Sequence, residues 1–188
     1  MILLDPDLEP DAAPYARAAQ RMSASGSRAT SRSHRIPSAR TLARFLSAAQ
    51  AAVRLRGDVT VLLTTDASIR RLNRQFRGKN KSTDVLSFPA AAMAGNEAGD
   101  VAISVQTALR QGTACGHSLS VELKVLILHG LLHLAGYDHE TDEGQMARRE
   151  RALRAKLRLP LGLIERVEDS GAKPAKKTGQ SAPRGGRR

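Results

Sequence analysis

The chain has 188 residues, with 30 Lys and Arg against 18 Asp and Glu, one Cys, no Trp and five Phe or Tyr. That length suits one compact domain with appendages, the 41% hydrophobic fraction excludes wholesale disorder, and the single Cys excludes an intramolecular disulfide framework. The net charge of +12 points to a polyanionic partner.

The elements follow in chain order. Residues 1–11 open the domain, with Ile2-Leu3-Leu4 as a short strand. Residues 12–36 form a low-complexity insertion of Ala, Ser and Arg, with weak order expected and partial helix around Tyr15–Met22. The core occupies residues 37–168. Ser38 caps a helix reaching about Leu55, with Leu42, Phe45, Leu46, Ala49 and Val53 on one face. Val59–Leu63 is β-branched and apolar enough for a buried strand. Asp66 caps a short helix to about Phe76, whose apolar face is Ile69, Leu72 and Phe76. Asp84–Phe88 reads as a strand ended by Pro89, Ala90–Gly99 as a loop, and Asp100–Ser104 as another strand. Gln106–Gly112 forms a short helix, Ser118 or Ser120 opens a strongly apolar one to about Ala135, and Thr141 or Asp142 starts a last helix that stops before Pro160. Residues 169–188 are Gly, Pro, Ser, Lys and Arg, a basic tail expected to be disordered.

No stretch reaches the ~18 continuous apolar residues of a membrane span. The start, Met1-Ile2-Leu3-Leu4-Asp5-Pro6-Asp7, lacks the basic and apolar regions of a signal peptide. The expectation is a soluble, cytoplasmic protein with no membrane partner. Half of the net charge lies in the tail, where Ser170–Arg188 hold six Lys or Arg and no acid; the first 36 residues contribute +1, leaving +5 for the middle. Two readings of the tail stay open, a nonspecific anchor on nucleic acid and a solvated solubility tail.

The decisive segment is His129-Gly130-Leu131-Leu132-His133-Leu134-Ala135-Gly136-Tyr137-Asp138-His139, which holds three of the five His. His129 and His133, four apart, lie on the same face of a helix. Gly136 adopts φ > 0 without steric cost and turns the chain so that His139 comes back towards the same point. Val125, Leu126, Ile127, Leu128, Leu131, Leu132 and Leu134 offer little that would satisfy two imidazoles. Three neutral imidazoles with no fourth protein ligand are the pattern of a catalytic zinc site with an open position, one Zn²⁺ per chain. The spacing H-x₃-H-x₂-G-x₂-H matches the metzincin proteases except that Gly130 stands where those enzymes place the Glu that activates water. Peptide hydrolysis by that route has no base here.

HGLLHLAGYDH closely resembles the signature of the YbeY family of single-strand-specific metallo-endoribonucleases. Leu72-Asn73-x-x-Phe76-Arg77-Gly78-Lys79, Ser82-Thr83-Asp84-Val85-Leu86-Ser87-Phe88-Pro89 and Gly99-Asp100-Val101-Ala102-Ile103 match it in order. Ser82 stands where the family often has Pro. The resemblance implies an α+β, zincin-like fold with a mixed sheet of about four strands and a buried metal-binding helix. It also implies an enzyme of ribosomal RNA processing, including 3′-end maturation of 16S rRNA and ribosome quality control. Its partners would be single-stranded RNA, ribosomal RNA, the small ribosomal subunit and assembly factors. The ligands would be His129, His133 and His139, with Arg77 and His129 in catalytic roles.

Arg70, Arg71, Arg74, Arg77, Lys79 and Lys81 place six positive charges in twelve residues without an acid. Arg70, Arg74 and Arg77 follow i, i+4, i+7 on one helical face. With Lys79 they are the candidate substrate-binding residues, because an Arg fork suits phosphate geometry. An ordinary solvated face is the plainer alternative. The scarcity of aromatics argues for phosphate contacts over base stacking, since Phe45, Phe76 and Phe88 fit core positions better. Tyr137, in the metal turn, is read as packing, with substrate contact as the lesser alternative. Asp138 is either a partner orienting a histidine or a cap. Glu122 lies roughly 10 Å along the helix from His129, too far for a base, and suits the helix N-terminus. His34 and His117 are read as surface, and Cys115 as a small structural or exposed thiol. Two rival functions remain: a ribosome assembly factor whose metal is structural, and a metalloprotease-like hydrolase.

Overall fold

The structure, a computed structural model, describes residues 1–8, 35–91, 95–139 and 141–160. The expected insertion and basic tail lie outside the described residues, apart from residues 35 and 36.

Strand β1 (Ile2–Leu4) leads through helix α1 (Ala39–Val53) to β2 (Asp58–Thr64), then helix α2 (Asp66–Arg77), β3 (Val85–Pro89), β4 (Glu97–Ser104), α3 (Val105–Ala114), α4 (Leu119–Leu134) and α5 (Gln145–Leu157). The sheet order is β1-β2-β4-β3, with β1, β2 and β4 parallel and β3 antiparallel at one edge. This is the expected mixed four-stranded α+β fold. Among the described residues no single helix is long and apolar enough to cross a membrane.

Strand alternation separates the two faces. Val101 and its cross-strand partner Ser87 face α4, whereas Leu86, Phe88 and Ala102 point to the side covered by α2. Helix α4 packs against β3 and β4 and is enclosed on its other sides by α1, α3 and α5. This explains why it is apolar all round: Leu123, Leu126, Ile127, Leu128, Leu131 and Leu132 are all fully buried. Each such side chain contributes roughly 1.5–3 kcal/mol of burial.

Local chemistry sets the boundaries. Ser38, Thr65, Ser104 and Ser118 each accept a hydrogen bond from the backbone N–H three residues on, capping α1, α2, α3 and α4. The cap of α2 is therefore Thr65, and Asp66 is its first helical residue. Burial alone would raise the Asp66 pKa, but hydrogen bonds from Ser104, Thr107 and Arg110 hold the carboxyl below the usual range. Those contacts tie α2 to α3.

Three further expectations are corrected. The last helix starts at Gln145, because Asp142 accepts from the N–H groups of Gly144, Gln145 and Met146 and closes a turn ahead of it. Strand β4 begins at Glu97, within the expected loop, by pairing with β2 and then β3. Phe76 is not a core residue: it is 58% exposed. On α2 only Ile69 of the expected apolar triplet is fully buried, and Asn73 takes an inner place, donating from Nδ2 to the Lys81 carbonyl at 2.8 Å. That bond, with Lys79 N–H donating to the Asn73 carbonyl, folds the loop after α2 back on the helix. Phe45 is half-buried against the core, and Phe88 is half-buried too.

Candidate metal centre

His129 and His133 project from the last two turns of α4, and Gly136, at φ 87°, turns the chain so that His139 meets them. One ring nitrogen from each of the three lies within 4.8 Å of the others. The Nε2 atoms of His129 and His133 are 3.1 Å apart. Two nitrogens bound tetrahedrally at 2.0–2.1 Å from zinc would sit about 3.3 Å apart, so this pair is already set at ligand spacing.

The protonation state fits as well. Burial, then the charges of His129 and His139, lower the His133 pKa to about 4, with Arg77 acting in the same direction and Asp138 against it. His133 is therefore neutral at physiological pH, with a lone pair available to a metal. An all-nitrogen imidazole donor set suits zinc and other late divalent metals and not magnesium or calcium.

A residue the sequence reading missed fixes the first ligand. Glu150 of α5 is 1% exposed, and its Oε2 lies 3.1 Å from His129 Nδ1. This contact turns His129 Nε2 towards the other two rings and selects the tautomer that donates from Nδ1. Glu150 Oε1 in turn lies 3.4 Å from Nε of the buried Arg154. A signal was present: Met146, Glu150 and Leu153 follow i, i+4, i+7, which puts a carboxylate on the apolar stripe of α5.

Gly130 is explained by packing. A Cβ at this position would lie 2.7 Å and 3.0 Å from the two Val101 methyls and 3.2 Å from Ser87 Oγ. Ser87 Oγ also donates to the Gly130 carbonyl at 3.3 Å, so the helix rests directly on β3 and β4. The position of the metzincin base faces the sheet, not the metal site.

Among the basic residues, the charge of Arg77 acts on one ligand, His133. Arg70, Arg74 and Lys79 are exposed, and Arg70 Nε donates to Asn80 Oδ1 at 2.9 Å. Nothing places these three at the histidines. Asp138 accepts at its carbonyl from the Thr141 and Asp142 N–H groups and at Oδ2 from Thr141 Oγ1, organising the turn that carries His139. Tyr137 packs half-buried against the core, as expected. Glu122 is fully buried in the first turn of α4, away from the site, with His117 Nε2 3.5 Å from its carboxylate. His117 is thus not a surface residue; its side chain is 15% exposed because it covers that carboxylate. Cys115 is exposed.

Three imidazoles at ligand spacing, with a carboxylate anchoring one from behind, form a candidate metal centre of the kind metal-dependent hydrolases use. The comparisons identify which one. Residues 28–158 match the family model described as Endoribonuclease YbeY. The Endoribonuclease YbeY of Koribacter versatilis is 51% identical over 147 residues, covering 78% of this chain and 93% of that protein. That of Nautilia profundicola is 52% identical over 112 residues, covering 60% and 81%. A solution structure of a Thermotoga maritima protein aligns with 77% of this chain and 96% of its own, at 22% identity and a TM-score of 0.47. The chain belongs to the YbeY family of endoribonucleases.

Proposed function

We propose that this protein is a zinc-dependent endoribonuclease that cuts single-stranded RNA and acts in the cytoplasm on ribosomal RNA at the small subunit, in 16S 3′-end maturation and ribosome quality control. The observation that carries the hydrolytic reading is the convergence of His129, His133 and His139, with the charge of Arg77 acting on His133. The relatives' shared name supports RNA as substrate, and the single exposed thiol suits a reducing compartment.

His129, His133 and His139 would hold the metal. When bound, zinc supplies Lewis acidity towards a phosphoryl oxygen and an activated water at neutral pH, so no carboxylate is needed at position 130. Glu150 holds His129 in its ligating orientation. Arg77 offers a planar fork to the scissile phosphate and faces the negative charge that develops there. Arg70, Arg74 and Lys79 extend the positive surface along the strand, so binding falls as salt rises. The packing of Gly130 against Val101 disfavours the protease reading.

The test compares full-length protein with Arg77→Ala and His133→Ala on single-stranded and duplex RNA, alongside rRNA end-mapping in cells carrying each variant. Arg77→Ala should lower kcat/KM by about 10²- to 10³-fold while leaving the melting temperature unchanged, because Arg77 is exposed. His133→Ala should abolish cleavage and leave unprocessed 3′ ends. Rescue of rRNA maturation by a folded, metal-free His133→Ala protein would instead establish an assembly factor.

A further inference from the structure

Phe76 is the one exposed phenylalanine or tyrosine among the described residues, whose other large apolar side chains, apart from Met1 and from Leu3 and Leu4 of the first strand, are covered. It stands in the last turn of α2 beside Arg77, within the acid-free run from Arg70 to Lys81. Its ring meets Phe88 of β3 edge-on, with centroids 5.1 Å apart and planes at 66°. That contact supports one edge of the ring while the residue stays 58% exposed, which limits the rotamer freedom lost on binding. β3 is the edge strand among the described residues, and Phe88 lies on its α2 side while the neighbouring Ser87 lies on its α4 side. Phe88 and Ser87 are neighbours on β3, and Ser87 touches Gly130, the residue after the first ligand.

We propose that Phe76, braced by Phe88, is a stacking platform for one unpaired base of the substrate, adjacent to the nucleotide whose phosphate Arg77 holds. The proposal rests on the endoribonuclease reading above and deepens it. A nucleic acid fits the surroundings because Phe76 lies in a sequence run whose exposed Arg74, Arg77 and Lys79 bring positive charge and no acid, a poor neighbourhood for an apolar protein partner but a good one for a polyanion with flat bases. Stacking on a protruding ring needs a base with a free face. Within a duplex both faces are occupied by neighbouring pairs, so Phe76 supplies a physical reason for preferring single strands.

The experiment uses full-length protein and two single-stranded RNA oligonucleotides, one intact and one with an abasic residue beside the cleavage site. Phe76→Leu, which keeps an apolar contact to Phe88, and Phe76→Ala should each raise KM on the intact strand by about 5- to 150-fold. The native protein should lose a similar factor on the abasic strand, and the variants should lose little more. Because the chain contains no Trp, Phe76→Trp adds a unique fluorophore; intact RNA, in chelator to prevent cutting, should quench it and the abasic strand should not. If native protein cuts single-stranded RNA and the variants bind and cut it equally well, the stacking role is overturned and the patch is a protein contact. If the variants lose the same factor on both strands, the effect is not base stacking and the proposal fails. If native protein neither binds nor cuts single-stranded RNA, the nuclease reading itself falls and takes the platform with it.

Discussion

Glu150 gives the most direct test of how the protein holds its metal. Its carboxylate is buried between His129 Nδ1, at 3.1 Å, and Arg154 Nε, at 3.4 Å. Glu150→Ala removes one acceptor from a ligand and one compensating charge from a guanidinium that is 2% exposed. Truncating one member of a buried pair costs about 3–5 kcal/mol. At roughly 2–4 °C per kcal/mol for a domain of this size, the metal-free protein should melt about 6–20 °C lower. Glu150→Gln keeps the volume and an acceptor for Nδ1–H but gives up the charge. It should fold with a smaller loss and bind zinc about 10- to 100-fold more weakly, because the ligand is then less basic and less firmly aimed. Competition against a chromophoric chelator measures the zinc affinity, and thermal melts with and without zinc separate folding from binding. Unchanged zinc affinity in Glu150→Gln would refute the claim that this carboxylate orients the ligand.

Two further predictions concern the same helix. Gly130→Ala gains about 1 kcal/mol of helix propensity but drives a methyl against the Val101 side chain, an overpacking cost of typically 1–3 kcal/mol. Denaturant titration should show net destabilisation, and the double variant Gly130→Ala/Val101→Ala should be more stable than the sum of the singles, with a coupling of about 0.5–3 kcal/mol. The lowered His133 pKa makes metal-free stability depend on pH: the unfolded chain takes up a proton near pH 6.5 that the folded protein refuses until about pH 4. Stability from this group is therefore intact above pH 6.5 and lost as pH falls to about 4; the melting temperature should drop across that window, and His133→Ala should flatten the drop.

Sequence reading succeeded where one residue type and a short spacing determine the outcome. The ligand triplet needs only the 3.6-residue helical period and a glycine turn, so His129, His133 and His139 converge as the pattern requires. Strands β2 and β3 and the caps Ser38 and Ser118 were legible for the same local reason. Glu150 was not, because its role depends on α5 crossing beside the end of α4, a contact 21 residues apart in sequence. Phe76 was misplaced because helical periodicity assigns a face but not whether the sheet extends beneath it. Among the described residues β3 is the edge strand, and Phe76, set against Phe88 on it, stays 58% exposed. His117 failed likewise: only the fold brings a buried Glu122 against it.

The contact of Gly130 with Val101 and Ser87 bears on what this scaffold can become. A carboxylate at position 130 would have to enter a space already filled by the strand, so the change that would supply a protease-like base is blocked as a single step. It must be accompanied by a smaller residue at 101 or by a helix lifted off the sheet, and either costs stability before any new chemistry appears. Helix-to-sheet packing thus separates two catalytic repertoires that share nearly the same ligand spacing, and the barrier between them lies in the core, away from the substrate.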